Sequence, residues 1–293
     1  MTLSNKELLQ LNYQGFIPGP NESEDEFLER ISYNQNLRQT LSQENIPIAN
    51  PIFEIEQCSE VIKPYNFSLP WLLVMYSNYQ LFPWHGACAW IFQMTSTSPI
   101  GAFLQLRSTF KQNKTLWKIY NKNELLEHEC CHAARMAFDE NVFEEFLAYQ
   151  ISPSFFRRIV GPLFKSSYEL VITLLLFTIV ICTNIFAIFF ESYEAQNLYK
   201  YALAAFFIFM TALCIRLFFR HNQFLKCKNN LNKFTPLSQE IVFRLTDKEI
   251  ISFGKMNKEQ ISQYLQKDPS LRCRLLYLLF THNTSGPDIT NKN

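Results

Sequence analysis

Along most of the chain, apolar and polar residues alternate in short blocks, but two stretches do not. Leu170 to Phe190 runs for 21 residues without a charge, and fifteen of these are Leu, Ile, Val or Phe. At about −0.3 to −0.6 kcal/mol each, those fifteen favour bilayer insertion by roughly 4 to 9 kcal/mol, before Asn184 and the threonines are subtracted. A helix of this length spans the hydrocarbon core. Leu198 to Phe219 is the second stretch. Its uncharged centre, Tyr201 to Ile215, is shorter, but Lys200 and Arg216 at its ends can carry their charges to the interface. The short polar connection Glu191 to Asn197 makes the spans 170–190 and 198–219 antiparallel, a transmembrane hairpin occupying 168–220.

The remaining pattern predicts ordinary elements. Ser23 followed by Glu24, Asp25 and Glu26 marks a helix N-terminus. Pro47, Pro51, Pro64 and Pro70 divide the next part into extended pieces. Ala87–Met94 and Ile100–Arg107, separated by Thr95-Ser96-Thr97-Ser98-Pro99, read as a β-hairpin. A helix is predicted from about Asn123 to Phe138, a turn at Asp139-Glu140-Asn141, and a second helix from Val142 to about Ile151. Beyond the membrane hairpin, Thr246-Asp247-Lys248-Glu249 fits a capping box. Asp268-Pro269-Ser270 opens an amphipathic segment from Leu271 to Phe280, and the last dozen residues read as disordered. The expectation is an α+β, mainly helical membrane protein in four parts: a helical and extended region 1–66, a β-hairpin and helix region 67–167, the membrane hairpin 168–220, and a helical tail 221–293.

Charge adds orientation. Arg157, Arg158 and Lys165 precede the first span, and Arg220, Lys226, Lys228 and Lys233 follow the second, whereas the connection offers Glu191 and Glu194. By the positive-inside rule both polar parts, and both termini, belong on the cytoplasmic side of an inner or plasma membrane. The eight cysteines form no C-x-x-C pair and two lie inside the apolar stretches, which fits reduced thiols in a reducing compartment. Met1 to Pro20 contains no uninterrupted apolar core, so insertion is expected from the internal segments. A net charge of +1 gives no reason to expect nucleic acid as a partner. With seven glycines and no G-x-G-x-x-G or P-loop pattern, nucleotide chemistry has no support either.

The candidate chemistry is Glu127-His128-Glu129-Cys130-Cys131-His132. On a helix His128 and His132 lie one turn apart on one face, so both imidazoles can bind one metal ion while Glu129 is carried beside a bound water. A catalytic zinc site needs a third protein ligand and one open position. Glu145, thirteen residues after His132, faces it if the two helices fold back about the turn at 138–140. Glu144, which points about 100° away around the helix, is the alternative third ligand on the same segment. Tyr149, one turn beyond Glu145, is placed to donate a hydrogen bond to a developing oxyanion.

His128-Glu129-x-x-His132 with Glu145-x-x-Ala148 resembles the gluzincin branch of the zincin metalloproteases. The resemblance covers residues 85 to 150. It implies Zn²⁺ held by His128, His132 and Glu145, Glu129 as general base, and an edge strand of the preceding hairpin holding an extended peptide. The chain departs from the membrane gluzincins at Tyr149, where those carry an Asp. Some of them also place a membrane hairpin before the third ligand, a pattern that makes Glu240 or Glu249 the ligand instead.

Other readings stand beside it. Glu129-x-x-His132 is half of a di-iron carboxylate motif, but the chain has no second Glu-x-x-His. The histidines could sit on a charged helix without metal, and Cys130 and Cys131 read as buried packing residues rather than ligands. Arg135 is expected to pair with a local acid, and Phe155-Phe156-Arg157-Arg158 to anchor at lipid headgroups. The sequence therefore predicts a membrane-anchored zinc metallopeptidase acting on a membrane-associated protein or peptide. Its rival is a non-enzymatic membrane adaptor with a structural metal or none.

Overall fold

A computed structural model describes residues 3–43, 56–58, 61–95, 97–116 and 120–281. Pro47, Pro51 and the last dozen residues lie outside the described residues.

The chain opens with helices α1 (Asn5–Tyr13), α2 (Glu24–Gln35) and α3 (Leu37–Gln43). Ser4 with Glu7, and Ser23 with Glu26, form reciprocal capping boxes that satisfy the first N–H groups of α1 and α2. Short strands follow: β1 (Glu56–Gln57), β2 (Val61–Ile62), β3 (Phe67–Ser68), β4 (Leu73–Tyr76), β5 (Ala87–Phe92), β6 (Gly101–Leu106), β7 (Thr115–Leu116) and β8 (Tyr120–Asn121). Four of them form one sheet in the order β1-β4-β6-β5, with β4 and β6 parallel and the other pairs antiparallel. β6 is buried along its whole length, as an apolar central strand must be, and β5 forms an edge. Ala89 lies opposite Leu104 across the β5–β6 hairpin, which is the hairpin that the two apolar runs predict.

Next come α4 (Lys122–Ala134), α5 (Glu144–Tyr149) and α6 (Phe155–Val160). Both helices around the expected turn are shorter than the pattern suggests. The chain leaves α4 at Arg135, and Asp139 takes a left-handed conformation (φ 46°) that reverses it toward α5.

The hairpin of long helices is α7 (Ser167–Phe190) and α8 (Tyr193–Leu231); both are long and apolar enough to cross a membrane. Two expected boundaries need correcting. The connection is only Glu191 and Ser192, because Ser192 caps α8 through Ala195 N–H and residues 193–197 are already helical. Nor does the second helix end at 219. No Gly or Pro interrupts 198–231, so α8 continues for 39 residues, about 58 Å at 1.5 Å per residue. Beyond the apolar stretch its buried stripe becomes Phe224, Cys227 and Leu231, spaced to face the rest of the protein. At the base of the hairpin Arg216 grips Glu169 with both nitrogens (2.5 and 2.6 Å), and its Nη2 also donates to Leu163 O.

The last elements are α9 (Ser238–Phe243), α10 (Asp247–Phe253), α11 (Lys258–Lys267) and α12 (Leu271–Thr281). Thr246 and Glu249 form the expected capping box. One apolar cluster runs through Leu8 and Phe27, Leu104 and Phe146, and Phe224, Phe243 and Leu275. Tyr65 stacks on Phe243 at 4.2 Å and donates to Leu147 O, while the buried Arg244 donates to Asn12 Oδ1 and Tyr65 O. The segments before and after the hairpin thus share a core at one end of it.

Candidate metal centre

α4 packs across the sheet beside β5 and brings His128 and His132 to its outer face, both largely buried. The Asp139 reversal sets α5 against α4, so that Glu145 meets the two imidazoles. His128 Nε2 and His132 Nε2 are 3.3 Å apart, and Glu145 lies 3.5 Å from the first and 3.7 Å from the second. One donor atom from each residue falls within 4.8 Å of the others, and no other such cluster occurs among the described residues. Ligand atoms about 2.0 to 2.2 Å from a tetrahedral zinc lie about 3.3 to 3.6 Å from one another. The two imidazole nitrogens are at that spacing, while Glu145 approaches them with different oxygens, one at 3.5 Å and the other at 3.7 Å; two imidazoles with one carboxylate are a donor set that a divalent metal ion takes.

Glu144 lies on the other side of His132. Its Oε1 is 3.1 Å from Nδ1, and its Oε2 accepts from Arg135 Nε at 2.8 Å. In the neutral imidazole a carboxylate on Nδ1 keeps the proton there, so that Nε2 is the nitrogen left to coordinate, on the side of His128 and Glu145. Arg135 also donates to Phe243 O and Leu245 O. It is the expected partner of local acids, and it ties α4 to the chain beyond α7 and α8.

The acids set the electrostatics. Burial lowers the His132 pKa, but the Glu144 hydrogen bond and the Glu145, Glu144 and Glu129 charges outweigh it and push it up to about 10. Burial raises Glu145, yet the hydrogen bond to His128 and the two imidazoles bring it down to about 2. The centre thus favours a positive charge among its donors.

Glu129 is next to the donors without joining them. Its Oε2 accepts the Ala89 N–H at 2.8 Å, from the side of β5 turned away from β6. The Tyr149 ring packs edge-on to His128 at 4.6 Å; burial first, then the Glu145 charge, raises its hydroxyl pKa and keeps it a proton donor. A cleft of about 850 Å³ runs along β5 past Glu129 and the three donors to Ser167, the first residue of α7. A side cavity of about 420 Å³ continues from Glu129 and Tyr149 toward Phe156, Val160 and Phe164.

The distal acids are elsewhere. Glu249 is engaged by Arg272, Thr246 N–H and Tyr264, and Glu240 sits beside Arg244, so neither joins the cluster. Cys130 and Cys131 are buried, with Cys130 Sγ 3.4 Å from Cys58 Sγ. Two residues of the cleft go beyond the sequence expectation, Glu144 in its role and His85 in its presence. The sequence offers Glu144 as a ligand, whereas adjacent carboxylates about 100° apart on a helix allow one to bind and the other to orient. His85 lines both the cleft and the side cavity near Glu129; burial lowers its pKa despite that charge. Its position just before the edge strand was the available signal.

Comparison with protein-family models, with characterised proteins and with solved structures gave no match.

Proposed function

We propose that the chain is a membrane-anchored zinc metallopeptidase, with His128, His132 and Glu145 as the zinc ligands. The observation that carries this reading is the convergence of the three donors with Glu129 alongside, in a cleft bordered by the edge strand β5. Zinc bound there supplies a Lewis acid toward the scissile carbonyl and acidifies water. The outward backbone groups of β5, apart from the Ala89 N–H that Glu129 holds, pair with an extended peptide laid along the cleft. Glu129 accepts the proton of the attacking water and delivers it to the leaving amine. Tyr149 donates a hydrogen bond to the oxygen that gains charge. This arrangement resembles the gluzincin pattern that the motif suggests.

The substrate reading rests on position. The cleft reaches Ser167 and the side cavity reaches Phe164, both next to the first apolar helix. With α7 and α8 spanning a bilayer, Phe155 and Phe156, each 70% exposed, lie at the headgroups with Arg157 and Arg158. The cleft then faces a membrane surface on its cytoplasmic side, and a membrane-associated protein or peptide is the substrate.

The test is metal analysis and proteolysis of full-length protein in detergent, beside Glu129→Gln. Glu129→Gln is expected to hold one zinc per chain, as the wild type does, and to lose about 10²- to 10⁴-fold of cleavage. Undiminished proteolysis in Glu129→Gln would exclude this chemistry. Zinc in both proteins with cleavage in neither would favour the adaptor with a structural metal.

A further inference from the structure

α5 cannot place Glu145 by itself. It has six residues, no side-chain cap at Phe143, and a reversed turn before it. A helix of that length is not stable alone, so its position is imposed by neighbours. One residue makes three of the contacts that impose it. Asp247 Oδ2 accepts the Val142 N–H at 2.9 Å and Oδ1 accepts the Phe143 N–H at 3.1 Å, while its own N–H donates to Glu140 Oε2 at 2.7 Å. Asp247 thereby holds both ends of the turn that delivers Glu144 and Glu145.

Asp247 is itself well anchored. It is the first residue of α10, and the capping box of Thr246 and Glu249 fixes that start; the contacts of Asn230 with Phe253 O and Met256 O lie at the opposite end of the helix and do not reach Asp247. The same tail segment receives Arg135, through Phe243 O and Leu245 O, and Arg135 holds Glu144 against His132. Two routes therefore run from the chain beyond the membrane helices to the metal centre: one through Arg135 and Glu144 to His132, the other through Asp247 and Phe143 to Glu145.

We infer that Asp247 is a positioning residue for the metal centre, fixing the segment that carries Glu145 from the far side of the membrane hairpin. The inference rests on the zinc reading above. Its chemistry is specific to a carboxylate, because each oxygen takes a different N–H. An amide in its place offers one acceptor and sets its own N–H₂ against the second donor.

The test uses full-length protein in detergent, with zinc affinity measured by chelator competition and coordination geometry read from the visible spectrum of the Co²⁺ form. Asp247→Asn is expected to bind zinc about 10- to 100-fold more weakly, the range for residues that support a metal ligand, and to alter the Co²⁺ spectrum. Asp247→Glu, which keeps two acceptor oxygens, restores part of both. Asn230→Ala is the control: it loosens α10 at its other end, so it lowers thermal stability but leaves zinc affinity and the Co²⁺ spectrum as in the wild type. Wild-type affinity and spectrum in Asp247→Asn would overturn the inference alone. So would an Asn230→Ala protein that loses zinc as readily. A wild type that binds no zinc would overturn both this inference and the metal reading.

Discussion

The carboxylate of Glu144 lies 3.1 Å from Nδ1 of His132. That contact decides which nitrogen of His132 faces the other donors, since a proton held at Nδ1 leaves Nε2 free to coordinate. Under the proposed metal reading Glu144 and Glu145, neighbours in the chain, have separate tasks, one orienting a ligand and the other serving as one.

Glu144→Gln is therefore expected to weaken zinc binding by about 10- to 100-fold without abolishing it. Glu145→Ala removes one of three ligands and should leave no stoichiometric zinc. Chelator competition on the two purified variants checks this. Equal loss in both would mean that Glu144 is itself a ligand.

Gly161 bears on the site through Tyr149. A Cβ at position 161 would lie 2.5 Å from Tyr149 Cε1, and the Tyr149 ring is packed against His128. The Gly161 backbone is helical and accepts any residue, so the effect of Gly161→Ala is steric. It should cost about 1 to 3 kcal/mol by overpacking. In a Tyr149→Ala background most of that cost should vanish, as denaturation midpoints of the two singles and the double will show. A full penalty in both backgrounds would place the strain elsewhere.

Acid stability should depend on Glu249. Its side chain and that of Arg272 are 3% and 4% exposed and joined by hydrogen bonds of 2.7 and 2.8 Å. Burial raises the Glu249 pKa, but the Arg272 hydrogen bonds and charge outweigh it, and the net shift is downward from 4.5. A folded-state value below the unfolded one stabilises the protein above the unfolded pKa, and the benefit fades as pH falls through the folded value. Arg272→Met leaves a buried carboxylate unpaired and should cost about 3 to 5 kcal/mol at pH 7. As pH falls through the folded value and Glu249 takes up a proton, its gap from the wild type should narrow. Thermal unfolding at pH 7 and pH 3 tests this; a constant gap would contradict it.

Membrane orientation is tested at the tip of the hairpin. Tyr193 is 77% exposed there, and Lys6 is exposed in α1. In a background lacking Cys182 and Cys214, an impermeant maleimide added to intact cells should label Tyr193→Cys and not Lys6→Cys. The reverse pattern would put the cleft outside the cell.

Much of the local structure was legible because its causes are local. The two long apolar helices follow from uninterrupted hydrophobic runs, and α2 and α10 begin where Ser23 and Thr246 meet a Glu three residues on. The β5–β6 hairpin follows from two apolar runs around a polar turn. His128 and His132 share a face because four residues make about one helical turn.

Lengths and partners depended on contacts that no local pattern encodes. α4 and α5 stop short of their apolar periodicity because the chain must reverse at Asp139, and α8 outruns its apolar stretch because Phe224, Cys227 and Leu231 find a core to enter. Four acids could be counted as third ligands: Glu144, Glu145, Glu240 and Glu249. Packing separated them, taking Glu249 to Arg272, leaving Glu240 beside Arg244, turning Glu144 to His132 Nδ1, and bringing Glu145 to both Nε2 atoms. Sequence determined which residues could hold a metal, since side-chain chemistry and helix pitch are local. Only the tertiary structure decided which of them meet, because that depends on how α5 is held against α4, and one of its holds, Asp247, lies more than a hundred residues further along the chain.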